Sequence, residues 1–347
     1  MAQLFLALAG LIVGASVAVA EVPRQLIVED FMVDAADPGT QVYVRNKRPA
    51  DMNQFSSDKT LLFVHGSTLP AEVTFDYSLQ GLSWMDYIAR HGWDVYLVDV
   101  RGYGRSTRPP EMGQPAASNP PIVTTDVAVK DVGSAIDFIL QRRGLSKLNL
   151  MGWSWGTVIT GAYTAEKSEK IESLVLFAPP WLRPPPPSQA ASQPLGAYVA
   201  APPSRDRLQA GAPEDRRQDL MPEFETWSAA AIATDPVGST QSPPVLRSPA
   251  GTVQDTRNYW QAGKPYYDPA KIKVPTLVIV GEWDGLTRPD GAQAIFHRLP
   301  SGPDKRFVEI GEATHLALLE KNRMELFREV QLFIDRGRQS KARKLSP

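Results

Sequence analysis

The pentapeptide Gly152-Trp153-Ser154-Trp155-Gly156 sets a serine between glycines two positions away on either side. It follows a short apolar run at 148–151 and opens a helical stretch at 155–166. A serine held on a sharp strand-to-helix turn is exposed for nucleophilic attack. Glycines at these spacings remove side chains that would collide with the neighbouring strand and helix. The helix that starts there points free amide hydrogens and the positive end of its dipole at the reacting centre.

A serine hydroxyl needs a base to become a useful nucleophile. The chain has four histidines, so elimination is possible. His65 precedes Gly66 at a strand end, His91 lies in a helix-to-strand turn, and His297 sits inside an apparent helix. His315 ends Gly311-Glu312-Ala313-Thr314-His315, a loop between the last strand-like run and the last helix. It is the candidate general base. A carboxylate must then hold the imidazole in one tautomer and stabilise its protonated form. After the run at 173–177 the chain reads Ala178-Pro179-Pro180-Trp181-Leu182-Arg183, with no acid. After the run at 276–280 it reads Gly281-Glu282-Trp283-Asp284-Gly285. Asp284 is the preferred acid because it stands further beyond the strand, and Glu282 is the alternative.

The elements that must position these residues follow a repeated rhythm. Apolar runs at 60–64, 95–98, 148–151, 173–177 and 276–280 are each bounded by Gly, Asp or Pro, as suits strands buried on both faces of a parallel sheet. Residues 26–30 and 41–45 alternate like strands of an antiparallel edge. Helical periodicity marks 125–142, 155–166, 289–298 and 323–336. Alternating strands and helices predict an α/β fold with a mainly parallel sheet flanked by helices, its ligands bound beyond the carboxyl ends of the strands. Residues 179–269 break the rhythm with many prolines and scattered aromatics, and a structureless loop of that length is unusual. The expected organisation is a core of 21–178 and 270–336, an inserted cap at 179–269, and a basic tail at 337–347.

His65-Gly66-Ser67, the segment Asp99-Val100-Arg101-Gly102-Tyr103-Gly104-Arg105-Ser106, the serine turn, Gly281-Glu282-Trp283-Asp284 and Thr314-His315 together resemble the α/β-hydrolase superfamily. The chain order Ser154, Asp284, His315 is the one that fold uses. The resemblance implies that the backbone amides of Ser67 and Trp155 form an oxyanion hole, where one donor lowers the barrier by about 3 kcal/mol. It also implies that His65 is structural and that the turn after Asp99 is braced by Asp99 and Arg101. That turn lacks the Gly-Lys-Ser/Thr of a phosphate-binding loop. Dehalogenases and epoxide hydrolases of this fold carry aspartate where Ser154 stands. The expected function is therefore hydrolysis of a carboxylic ester through an acyl-enzyme. One alternative is carbon–carbon bond cleavage of a diketone by the same triad, which in that family also accompanies a His-Gly-Ser opening. The other is a non-catalytic ligand-binding protein on a hydrolase scaffold. No metal or organic cofactor is implied.

Aromatic residues surround the serine. Trp153 flanks it, Trp181 begins the cap, and Trp227 and Trp260 lie within the cap. Each is a candidate substrate contact for apolar or ring-bearing small molecules, and each could instead pack the cap onto the core.

A net charge of −1 over 347 residues argues against a nucleic-acid partner, which calls for clustered basic excess. With no cysteine, disulfides, cysteine-ligated zinc and a thiol nucleophile are excluded. Residues 4–20 carry no charge and end in Ala18-Val19-Ala20, the pattern of a secretory signal peptide at 1–20, although no Lys or Arg precedes the apolar stretch. Cleavage there predicts a bacterial periplasmic or secreted protein without stable membrane insertion. Retained, the same segment would act as an anchor.

Overall fold

A computed structural model of the protein describes residues 24–183, 194–302 and 304–345. The leader at 1–20 lies outside the described residues. The strands are β1 (Leu26–Asp34), β2 (Gln41–Pro49), β3 (Thr60–Val64), β4 (Asp94–Val98), β5 (Leu148–Trp153), β6 (Ile171–Phe177), β7 (Tyr198–Ala201), β8 (Leu246–Pro249), β9 (Thr276–Gly281) and β10 (Lys305–Ile310). The helices are α1 (Ala71–Phe75), α2 (Trp84–Arg90), α3 (Thr125–Arg143), α4 (Trp155–Glu166), α5 (Arg205–Leu208), α6 (Arg217–Leu220), α7 (Phe224–Ala233), α8 (Gly251–Asp255), α9 (Pro289–Arg298) and α10 (Arg323–Leu345).

Among the described residues one eight-stranded sheet runs in the order β1-β2-β4-β3-β5-β6-β9-β10. β2 pairs antiparallel with both β1 and β4, and the remaining neighbours are parallel. This is the mainly parallel α/β sheet with an antiparallel edge that the sequence predicts. Its inner strands are mostly apolar because successive side chains enter different cores. Leu61 and Phe63 of β3 face one core with Leu277 and Ile279 of β9. Leu62, Val64, Val278 and Val280 face the other. Trp84 of α2 stacks on Phe327 of α10 in the first core, with centroids 4.6 Å apart. Val132 and Ile136 of α3, Ile159 of α4 and Ile295 of α9 fill the second. Truncating one such side chain to alanine costs about 2–5 kcal/mol.

Several boundaries differ from expectation. Strands β1 and β2 run on past the expected 26–30 and 41–45, to Asp34 and Pro49. Helix α10 continues past 336 to Leu345, because Gln, Lys, Ala and Arg in the basic tail are good helix formers. The cap region also holds strands: β7 and β8 pair antiparallel, with Tyr198 opposite Pro249. Each has four residues, too few to show a period, and their partner lies far along the chain. Residues 184–193 of the cap lie outside the described residues.

Buried polar contacts fasten the cap to the core. Arg247 and Asp235 pair at 2.8 Å with almost no exposure, and Arg247 Nη1 donates to the Met112 carbonyl at 2.6 Å. Between cap and sheet lies a cavity of about 520 Å³. It opens at the carboxyl ends of the central strands, where Val64 pairs with Gly152 and Trp153 with Phe177.

Candidate active site

Ser154 joins β5 to α4 with φ 54° and ψ −124°, a conformation that L-residues rarely adopt. The neighbouring glycines explain how the strain is accommodated. A Cβ on Gly152 would sit 2.3 Å from the Gly156 carbonyl oxygen. A Cβ on Gly156 would sit 2.3 Å from the Val64 carbonyl oxygen. Any side chain at either position would push the strand and helix apart and flatten the turn. The Ser154 amide donates to the Phe177 carbonyl at 2.9 Å, and Ser154 lines the cavity.

His315 and Asp284 meet because β10 lies beside β9, with Ile310 opposite Gly281. The loops leaving these two strands therefore run side by side. His315 Nδ1 is 2.8 Å from Asp284 Oδ2, and both side chains are nearly inaccessible to solvent. The carboxylate is well satisfied for a buried charge. Oδ1 accepts the Leu286 and Thr287 amides at 2.9 and 2.8 Å, and Oδ2 also accepts the Thr287 hydroxyl at 2.7 Å. Thr287 Oγ1 is 3.2 Å from His315 Nδ1. With Nδ1–H donated to the carboxylate, Nε2 is the nitrogen left to exchange a proton with a bound group. Trp153 braces the loop by donating from Nε1 to the His315 carbonyl at 3.1 Å. His315, Ser154 and Thr287 all border the cavity. No hydrogen bond joins Ser154 Oγ to His315 among the described residues, a contact that commonly tightens only around bound substrate.

The other candidates lie elsewhere. Glu282 is exposed and accepts the Glu312 amide at 2.9 Å. His91 caps α2 through the Tyr87 carbonyl, and His297 is exposed on α9. His65 is fully buried: Nδ1 donates to the Gly66 carbonyl at 2.6 Å, and Nε2 accepts the Val100 amide at 3.0 Å. Burial pushes its imidazole down to about 4, so it stays neutral and ties the loop after β3 to the turn after β4.

Ser67 and Trp155 both line the cavity beside Ser154. Trp155 is the first residue of α4, so its amide has no carbonyl within the helix to serve. The Ser67 carbonyl accepts the Tyr103 hydroxyl at 2.6 Å, and Tyr103 packs on the His65 ring at 4.6 Å. Asp99 accepts the Ala71 amide at 2.7 Å and the Arg105 amide at 3.2 Å. Arg101 grips Asp131 through Nε and Nη2 at 2.9 and 2.5 Å. The turn after β4 thus serves the loop carrying Ser67.

The four tryptophans divide. Trp153 and Trp260 line the cavity. Trp227 does not: it is fully buried and donates from Nε1 to the Val73 carbonyl at 2.9 Å, stapling α7 of the cap to α1. Trp181 also turns away, packing edge-on to Tyr267 at 6.4 Å with Arg298 5.4 Å from its ring. Both are packing residues, and the expectation of substrate contact is corrected for them.

Two contributors have no motif to announce them. Thr287 is one. Glu320 is the other, a fully buried carboxylate that accepts the Thr314 amide at 2.9 Å and Gln209 Nε2 at 3.1 Å. It ties the His315 loop to the cap, and burial raises its carboxyl above the ordinary range. No cluster of His, Cys, Asp and Glu among the described residues suits a metal ion.

A strained serine turn beyond the centre of a parallel sheet, with an acid–histidine pair from later strands, defines a class of hydrolase scaffold. Over residues 59–322, more than half of its length, the chain matches the family described as alpha/beta hydrolase fold, and it belongs to that family. Solved structures share the fold. A monoacylglycerol lipase of Paleococcus ferrophilus is 19% identical, with a TM-score of 0.58 over 85% of this chain and 99% of that one. An esterase of Thermogutta terrifontis is 18% identical, with a TM-score of 0.54 over 89% and 99%. The 2-hydroxy-6-oxo-6-phenylhexa-2,4-dienoate hydrolase of a Rhodococcus strain is 15% identical, with a TM-score of 0.55 over 89% and 99%. Among the described residues no helix is long and apolar enough to cross a membrane.

Proposed function

We propose that the protein is a serine hydrolase cleaving a carboxylic ester of an apolar or aromatic small molecule. The observation that carries this reading is the His315–Asp284 contact of 2.8 Å bordering the same cavity as the strained Ser154. Ser154 Oγ attacks the ester carbonyl while His315 Nε2 takes its proton. The amides of Ser67 and Trp155 hold the negative oxygen of the tetrahedral intermediate. His315 returns the proton to the departing alkoxide, leaving an acyl group on Ser154. Water then attacks that acyl carbon with His315 again as base, and the carboxylic acid leaves as Ser154 recovers its proton. Asp284 holds the imidazole tautomer and balances the imidazolium formed in each half.

Labelling with a fluorophosphonate, followed by turnover of aryl and alkyl esters, an amide and a diketone, tests the assignment. Ser154 should carry the label, and Ser154→Ala should lose both label and ester turnover. Diketone cleavage without ester turnover would move the chemistry to carbon–carbon hydrolysis. An unlabelled, inactive wild-type protein would leave a ligand-binding scaffold. We further propose a periplasmic or secreted location after removal of residues 1–20. Mature protein should then begin at Glu21, and full-length chain in the membrane fraction would overturn this.

A further inference from the structure

Among the described residues the cavity over Ser154 is bordered by three arginines and by no aspartate or glutamate. Arg183 follows β6 at the root of the cap, and Arg207 belongs to α5. Neither guanidinium has a carboxylate or hydrogen-bonding partner among the described residues. Arg205, two positions from Arg207, behaves differently: it donates to the Met221 carbonyl at 2.9 Å and faces Glu225 at 3.5 Å. Both side chains line the cavity that holds Ser154 while keeping contact with solvent. Partial desolvation lowers both guanidiniums from the ordinary arginine range, Arg207 further through the Arg183 charge. They remain charged nonetheless. Two cations on the wall of one cavity, with no carboxylate along that wall among the described residues, give it a positive field that favours an anionic group. Much of the remaining wall is apolar, including Leu69, Val199, Leu208, Leu246 and Trp260.

We propose that Arg183 and Arg207 hold an anionic group of the substrate, a carboxylate or a phosphate, so that the ester cleaved at Ser154 belongs to a molecule with one apolar and one negatively charged part. This rests on the ester-hydrolase reading for the bond cleaved, and not for the charge. An arginine fork grips either oxyanion through paired N–H donors. Placed in the cap, the pair would position the ester by its far end while the core supplies the chemistry.

The test separates the two claims. Calorimetry on Ser154→Ala protein compares an aliphatic ω-carboxylate ester, its ω-phosphate counterpart and the neutral ω-methyl ester, over a series of chain lengths. Kinetics on wild-type enzyme use the same three as p-nitrophenyl esters. One charged ligand should bind, and be cleaved, roughly tenfold to a hundredfold better than the neutral one, as expected for hydrogen bonds to a charged group. Whichever anion wins names the source. In Arg183→Gln/Arg207→Gln the charged-to-neutral ratio should fall to about one, and Arg183→Lys/Arg207→Lys should restore part of it. Equal binding of charged and neutral ligands at every length, or a preference that survives the double glutamine variant, overturns the proposal. Selective binding of the anion without turnover of any ester would sink the ester-hydrolase reading and leave the anion site standing.

Discussion

His315 Nδ1 shares Asp284 Oδ2 with the Thr287 hydroxyl, at 2.8 Å and 2.7 Å respectively. The buried carboxylate holds the ring in one orientation, with Nε2 free for proton transfer. Asp284→Asn keeps the shape but favours the opposite tautomer, and should lower kcat on a p-nitrophenyl ester by about 10³- to 10⁴-fold. His315→Ala should cost at least as much, and Glu282→Gln less than about threefold, in keeping with an exposed side chain that can have only a local structural effect. A crippling Glu282→Gln with a mild Asp284→Asn would exchange the two roles.

Thr287 is a positioning residue, because it reaches the reaction only through Asp284 and His315. Thr287→Val removes its hydroxyl at nearly constant volume and should lower kcat roughly tenfold with little change in KM, the loss expected of one hydrogen bond to a charged group. Thr287→Ser should recover most of that loss in steady-state kinetics. A valine variant with wild-type kcat would show the hydroxyl to be dispensable.

His65 makes stability depend on pH. Its imidazole is held down to about 4 in the folded protein, against an ordinary value near 6.5, so between those values the unfolded chain binds the extra proton. Its contribution is present above about pH 6.5 and is lost as pH falls toward 4, an acid-side loss on the order of 3 kcal/mol. Urea melts at a series of pH values should show this slope in the wild type. His65→Asn should flatten it across that window while lowering stability at pH 7. An unchanged slope would locate the acid sensitivity in other groups.

Trp260 and Trp227 should respond differently to alanine. Trp260→Ala removes a ring from the cavity wall and should shrink the advantage of an aryl ester over a short acetate ester, on the order of thirtyfold for one buried ring. Trp227→Ala removes a fully buried ring and leaves the Val73 carbonyl without its donor, so it should cost about 3–5 kcal/mol in a denaturant melt. Loss of aryl preference on Trp227→Ala without loss of stability would reverse this division.

The serine turn was legible in the sequence because its demands are local. A strained residue between two elements needs glycine at 152 and 156, and those contacts span only a few residues and one neighbouring strand. The parallel strands were legible for a similar reason: burial on both faces leaves continuous apolar runs. Other features depended on distant partners. The loop carrying the acid could be named from sequence, but Glu282 and Asp284 stand only two positions apart. What separates them is the pairing of β10 beside β9, which sets His315 against one and leaves the other in solvent. A tryptophan in the cap serves equally as wall or staple, and only the docking of α7 onto α1 made Trp227 a staple. Thr287, Glu320, Arg183 and Arg207 match no motif, because a hydroxyl, a buried carboxylate or an unmatched cation acquires meaning only from what the fold sets within a few ångströms of it. Local sterics and burial are written along the chain, whereas the choice among chemically equivalent side chains waits on contacts between residues far apart in it.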